Sequence, residues 1–370
     1  MSEDRKPRVA IVFGGRSSEH AVSCISAGSV LAAIDRESYD VVPVGITREG
    51  RWVLAADEPA RLAITAGGLP SVEESDRSVV LSGDPTKRGL VVLEPGRVPQ
   101  ELGGVDVVLP LLHGPYGEDG TLQGLLELAG VGYVGSGVFA SAAAMDKGHM
   151  KALLSAAGLP IGPYAVVTPR QWTSDPAAVR ETVAGLSYPV FVKPCRAGSS
   201  VGISKVTGPE GLDAAVEAAR GHDPRVIVEA AVDGREIECG VLEGMDGAEP
   251  EASVPAEVVV EGHEFYDFEA KYLPDEGTRL DVPADLPGEV AEEIREMACR
   301  AFDVLSCEGL ARVDFFLEPS GRVLVNELNT MPGFTPSSMF PLMWKASGLD
   351  YPQLVDRLIR TALQRPAGLR

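Results

Sequence analysis

Short apolar runs alternate with amphipathic stretches along this chain, and the order of the two predicts its layers. Residues 9–13 form a short strand that ends at Gly14 and Gly15. Ser17 or Ser18 is placed to cap a following helix through Val22, Ile25, Ser29 and Ile34. Apolar runs at 41–46 and 105–109 complete a strand–helix–strand pattern, which predicts a parallel α/β layer. Between them, residues 55–100 are rich in Pro, Gly, Asp and Glu and read as a surface insertion of hairpins and loops, with Trp52 in a strand beside it.

A single helix is expected over 138–157, stopped by Gly158 and Pro160. Strands at 164–167, 190–192, 203–206 and 226–228 enclose a helix over 212–220, a small α+β unit. Further strands are expected at 237–242 and 254–260, then a polar loop over 262–281 and a helix over 289–305. Strands 309–317 and 322–328 are joined by Glu-Pro-Ser-Gly, a good hairpin turn, and two helices close the chain. The expected domains are 1–134, an N-terminal α/β domain, then 135–232 and 233–370.

Composition changes this picture little. The chain has 370 residues, 45% hydrophobic and 24% charged, enough for two or three cores and unlike a disordered chain. The net charge of −21 argues against a nucleic-acid partner but not against a small anion held by local donors. Five scattered cysteines with no C-x-x-C pair argue against a zinc site or disulfide framework. No apolar run approaches the ~20 residues of a membrane span, and the N-terminus does not read as a signal peptide. A soluble, cytoplasmic protein with no membrane partner is expected.

Candidate chemistry gathers first on the last hairpin. Side chains alternate along a strand, so Arg312 and Asp314 share one face, and Glu327 and Asn329 share another. If the register joins those faces, two carboxylates and an amide oxygen meet beside a guanidinium, a hard-oxygen set suited to Mg²⁺. Ordinary salt bridges on a solvated strand face are the alternative. Gly333, after Pro332, makes a tight turn able to aim N–H groups at an oxyanion. Lys193 ends a nearly continuous apolar strand, and residues 196–202 form a small-residue loop able to fold over phosphates, or simply a flexible turn. Lys147, Glu229 and Glu236 are candidates for nucleotide contact, or ordinary surface charge. Glu19 stands ready to bind an ammonium, or to complement a helix dipole. The dinucleotide pattern G-x-G-x-x-G is absent after the first strand.

Seven segments in order carry a resemblance: FGGRSSEH (13–20), HGPYGEDGTLQG (113–124), GSGVFASAAAMDK (135–147), FVKPCRAGSSVG (191–202), FYDFEAKY (265–272), ARVDFF (311–316) and NELNTMPGFTPSSM (326–339). With them the chain resembles the D-alanine–D-alanine ligases of the ATP-grasp superfamily over nearly its whole length, the 55–100 insertion apart. The resemblance implies a three-domain architecture, with two α+β domains clasping ATP after the α/β domain. It implies ATP-dependent joining of two D-alanines through an acylphosphate, for peptidoglycan precursors, with D-alanine–D-lactate ligation as the alternative. Tyr272, where ester-forming members resemble a pattern with histidine, favours the amide.

The same resemblance implies roles for particular residues. Lys147, Lys193, Glu229 and Glu236 would hold ATP, with Lys271 approaching its phosphates. Asp314, Glu327 and Asn329 would hold two Mg²⁺ (or Mn²⁺) ions. Glu19 would bind the first ammonium, with His113 nearby and with Ser199 and Tyr272 linked to Glu19. Arg312 and the Gly333 N–H would stabilise the oxyanion, and Ser338 and the Met339 N–H would hold the second carboxylate. A homodimer is implied. Two departures stand out: Ala197 where many members carry Glu, and Ala230-Ala231 where many place a lysine.

Overall fold

The computed structural model describes residues 5–65, 68–198, 201–260 and 278–365. Three sheets organise them. The first runs β6-β5-β4-β3-β2-β1-β7-β8. Its strands are β1 (Arg8–Gly14), β2 (Asp40–Ile46), β3 (Trp52–Leu54), β4 (Ser78–Leu81), β5 (Gly89–Leu93), β6 (Gln100–Gly104), β7 (Val107–Pro110) and β8 (Gly132–Tyr133). The half from β2 to β8 is parallel, as the strand–helix–strand pattern predicts.

Strand β1 shows why its sequence is continuously apolar. Val9, Ile11 and Phe13 enter one core with helix α1 (His20–Ala33), while Ala10 and Val12 enter another with α2 (Thr121–Leu128). A parallel strand covered on both faces has no polar side to keep. The 55–100 stretch departs from expectation. It does form hairpins, but they extend this same sheet antiparallel and bury Val79, Leu81, Leu90 and Val92 rather than lying on its surface.

The second sheet runs β11-β10-β12-β9 and is antiparallel: β9 (Tyr164–Val167), β10 (Val190–Pro194), β11 (Ser204–Val206) and β12 (Val226–Ala230). Helices α5 (Pro169–Ser174), α6 (Pro176–Ala184) and α7 (Leu212–Arg220) contribute Trp172, Val183 and Val216 to its core. Before it, the single helix expected over 138–157 is two: α3 (Val138–Met145) and α4 (Lys147–Ala156). The chain turns at Asp146, whose carboxylate accepts from the N–H groups of Gly148 and His149 and so caps α4. An internal cap wins here over a periodicity that runs straight through.

The third sheet runs β16-β15-β13-β17-β18, with β14 on β13. Its strands are β13 (Arg235–Leu242), β14 (Glu251–Ala252), β15 (Ala256–Val260), β16 (Thr278–Asp281), β17 (Leu310–Leu317) and β18 (Val323–Asn329). The end of the expected 262–281 loop is therefore strand, and its remainder lies outside the described residues. Helix α8 (Gly288–Val304) covers this sheet through Ile294, Ala298 and Phe302. The two closing helices are α9 (Met339–Ala346) and α10 (Tyr351–Gln364). Leu354, Val355, Leu358, Ile359 and Ala362 line one face of α10 and return to the β1 core. That packing joins the chain's end to its first sheet.

Candidate active site

The three sheets meet around a cleft of about 410 Å³. Its floor is the last hairpin. Arg312 pairs with Asn329 and Asp314 with Glu327 across β17 and β18, so the two polar faces do meet. The Arg312 guanidinium donates twice to Asp314, at 2.7 and 2.8 Å, and lies 3.0 Å from Glu238 on β13. Burial opposes its charge, but Asp314 and Glu238 hold its pKa far above the usual value. The Asn329 amide donates to Asp314 at 3.0 Å. Among the described residues no three His, Cys, Asp or Glu side chains form a metal cluster. The donor set here is two carboxylates and an amide, which suits an ion completed by phosphate and water.

The register slips between Asp314 and Phe315, making a bulge at Asn326. The bulge leaves the Asn326 carbonyl to accept from Lys151 at 2.9 Å. Lys151 also meets Glu229 at 2.8 Å, and Lys193 meets the other Glu229 oxygen at 2.7 Å. Burial would raise the Glu229 pKa, but the two ammonium groups hold it well below the usual carboxylate range. Burial likewise opposes the Lys193 charge, and Glu229, with Glu327 and Glu236 behind it, raises its pKa instead. Lys147, first in α4, donates to the Ala197 carbonyl at 3.0 Å and lies 3.5 Å from Glu327. Glu236 lines the same cleft.

The opposite wall comes from the first sheet. Gly14 and Gly15 both turn with positive φ, and a Cβ on Gly14 would strike the Ile46 carbonyl. Glu19 follows as the residue before α1. No side chain caps that helix: Ser17 instead donates to the His113 carbonyl at 2.7 Å and accepts from the Glu19 N–H, which replaces the expected serine cap. The Glu19 carboxylate is buried between Gly114 and Gly198, where a Cβ on either would come within 2.8 Å of it. His113 is buried, and burial lowers its pKa while the charge of Glu19 works against that.

Ser338 and Met339 sit at the start of α9 and are not among the cleft's lining residues; Ser338 Oγ is 2.7 Å from Thr335 Oγ1. Gly333 does line the cleft. Ser199, Lys271 and Tyr272 lie outside the described residues. Sequence reasoning missed Glu118, Lys151 and Glu238, all of which line the cleft. Lys151 stands four residues after Lys147 on one helix face, a signal available in the sequence. Glu118 gave none beyond its place in a glycine-rich segment. Burial and the charge of Glu19 push its carboxyl up to about 8, against hydrogen bonds from the Gly114 and Met331 N–H groups.

The family models described as D-ala D-ala ligase N-terminus and C-terminus match residues 8–136 and 153–360. The chain belongs to the D-alanine–D-alanine ligase family. A D-alanine–D-alanine ligase of Streptomyces griseus is 60% identical over 99% of this chain and 95% of its own. One from Arthrobacter is 57% identical over 99% of this chain and 96% of its own. The crystal structure of VanG D-Ala:D-Ser ligase from Enterococcus faecalis superposes with a TM-score of 0.83, at 37% identity, covering 97% of this chain and all of that one. The D-alanine–D-alanine ligase of Coxiella burnetii follows at 0.80 and 34%, covering 97% and 94%. The three-sheet architecture is the family's ATP-grasp fold, as expected from the sequence. All five cysteines are free.

Proposed function

We propose that this chain joins two D-alanines into D-alanyl-D-alanine at the expense of ATP, for peptidoglycan precursors. One observation carries the proposal most strongly. A chain about 60% identical to D-alanine–D-alanine ligases over its full length gathers lysines, carboxylates and a guanidinium around one cleft. The same relatives do not favour the D-alanine–D-lactate alternative.

In this reading residues 1–134 form the substrate domain, while 135–232 and 233–370 clasp the nucleotide. Lys147 and Lys193 neutralise the phosphates, assisted by Lys271, while Glu229 and Glu236 hold the nucleoside end. Asp314, Glu327 and Asn329 would hold two Mg²⁺ or Mn²⁺ ions, which when bound would offset phosphate charge. Glu19, supported by Ser199 and Tyr272, holds the first D-alanine's ammonium beside His113. A carboxylate oxygen of that D-alanine attacks the γ-phosphorus, ADP leaves, and an acylphosphate results. The second D-alanine, its carboxylate at Ser338 and the Met339 N–H, attacks the acyl carbon with its amine and loses a proton. Arg312 and the Gly333 N–H stabilise the oxyanion until phosphate departs. The enzyme works as a cytoplasmic homodimer. No described helix is long and apolar enough to cross a membrane.

D-alanine-dependent ADP release, with the product identified against D-serine and D-lactate as competing second substrates, tests the activity. Depsipeptide as the main product at neutral pH would overturn the amide assignment. Arg312→Ala should lose roughly 10²–10³ in turnover with the fold intact. Near-normal turnover in that variant removes Arg312 from the oxyanion site.

A further inference from the structure

Met331 opens the turn that carries Gly333, and it is held from the far wall of the cleft. Its N–H donates to Glu118 Oε1 at 3.1 Å, and its carbonyl lies 3.1 Å from His113 Nδ1. A carbonyl only accepts, so Nδ1 carries the proton and Nε2 is the bare nitrogen. Glu118 also accepts from the Gly114 N–H at 2.5 Å, which ties its carboxylate to its own loop. Both side chains belong to residues 113–118, more than 200 positions before Met331 in the chain.

The turn has few anchors of its own. Pro332 offers no N–H. Beyond Gly333, the Phe334 carbonyl accepts from the Tyr351 hydroxyl at 2.7 Å. Gly333 therefore sits between two fixed points, one supplied by the first sheet and one by α10.

We propose that His113 and Glu118 are positioning residues that grip both sides of the Met331 backbone and so aim the Gly333 N–H. The proposal rests on the reading of Gly333 as an oxyanion donor. It moves His113 from the substrate's ammonium to the turn, and it gives Glu118 a role. The first sheet thereby completes an oxyanion site whose donors both belong to the third-sheet region. A misplacement of about 1 Å at such a donor costs on the order of 10²-fold in rate.

The test uses the full chain. Asparagine places a donor where Nδ1 stands, and glutamine places one where Nε2 stands. His113→Asn should keep kcat within about tenfold of wild type, whereas His113→Gln and Glu118→Ala should lose about 10²-fold. The KM for ATP should stay within about twofold in all three, because the nucleotide end is not touched; general loosening of the fold would move both constants. Should Glu118→Ala fold poorly, Glu118→Gln keeps one accepting oxygen and should show a smaller kcat loss with the same unmoved KM. His113→Gln turning over as well as His113→Asn would mean that the ring works through Nε2, and would overturn the proposal. So would unchanged kcat in the Glu118 variants. Arg312→Ala separates the layers: normal turnover there defeats the oxyanion reading itself, while a crippled Arg312→Ala beside unimpaired His113 and Glu118 variants defeats the positioning alone.

Discussion

The two ends of the cleft handle charge in opposite ways. At the end proposed for the nucleotide, Lys151 and Lys193 close on Glu229 at 2.8 and 2.7 Å, and the carboxylate is held well below its usual range. At the end proposed for the amino acid, Glu19 and Glu118 face the same space, His113 is driven towards its neutral form, and the Glu118 carboxyl is pushed up to about 8. Opposite charges compensate one another at the first end before any substrate arrives. At the second, two carboxyl groups share a buried space and the proton kept by Glu118 avoids a pair of like charges. Loss of a partner should therefore cost stability at the nucleotide end and change proton binding at the amino-acid end.

The largest effect expected from this contrast is on folding. Lys151→Met leaves buried Glu229 with one cation and should destabilise the chain by about 3–5 kcal/mol, read as a lowered denaturation midpoint at unchanged slope. Adding Glu229→Gln should not recover the loss, because it takes from buried Lys193 the carboxylate 2.7 Å away. A Lys151→Met chain as stable as wild type would show that the two ends do not differ in this way.

A smaller effect concerns pH. An unfolded glutamate releases its proton near 4.5, whereas folded Glu118 keeps its proton up to about 8. The folded state thus binds the extra proton between those values. The resulting stability is complete below about 4.5 and is lost as pH rises through 8. Glu118→Gln has no such dependence, so wild type should lose ground to the variant as pH climbs from 5 to 9, measured by thermal unfolding in matched buffers. A constant difference across that range would place the Glu118 pKa near its ordinary value. The smallest effect is a sharpening of the same measurement. Glu19→Gln removes a charge that raises the Glu118 pKa and should move the midpoint of that pH dependence downward; an unmoved midpoint would leave burial as the sole cause.

Much of the fold was legible because it is written in local periodicity. The alternation in 309–317 and 322–328 put Arg312 with Asp314 and Glu327 with Asn329, and the register confirms the meeting of those faces. The bulge at Asn326 was not legible, because an extra residue in one strand shows only against its partner. The break at Asp146 was hidden for a similar reason: apolar spacing continues across it, and its cap is seen only once the backbone has turned. The 55–100 stretch looked superficial because its polar composition masked the alternating valines and leucines that extend the first sheet.

By itself, then, the sequence determined the order of strands and helices, the family through its seven segments, and which residue types could serve phosphate, cation or ammonium. Those properties depend on neighbours a few positions apart or on motif spelling. Only the tertiary structure decided how Lys151 and Lys193 share Glu229, why Glu118 keeps its proton, and how His113 and Glu118 come to grip Met331. Charge state and hydrogen bonding depend on burial and distance, and these are set by residues brought together across 200 positions and between separate sheets.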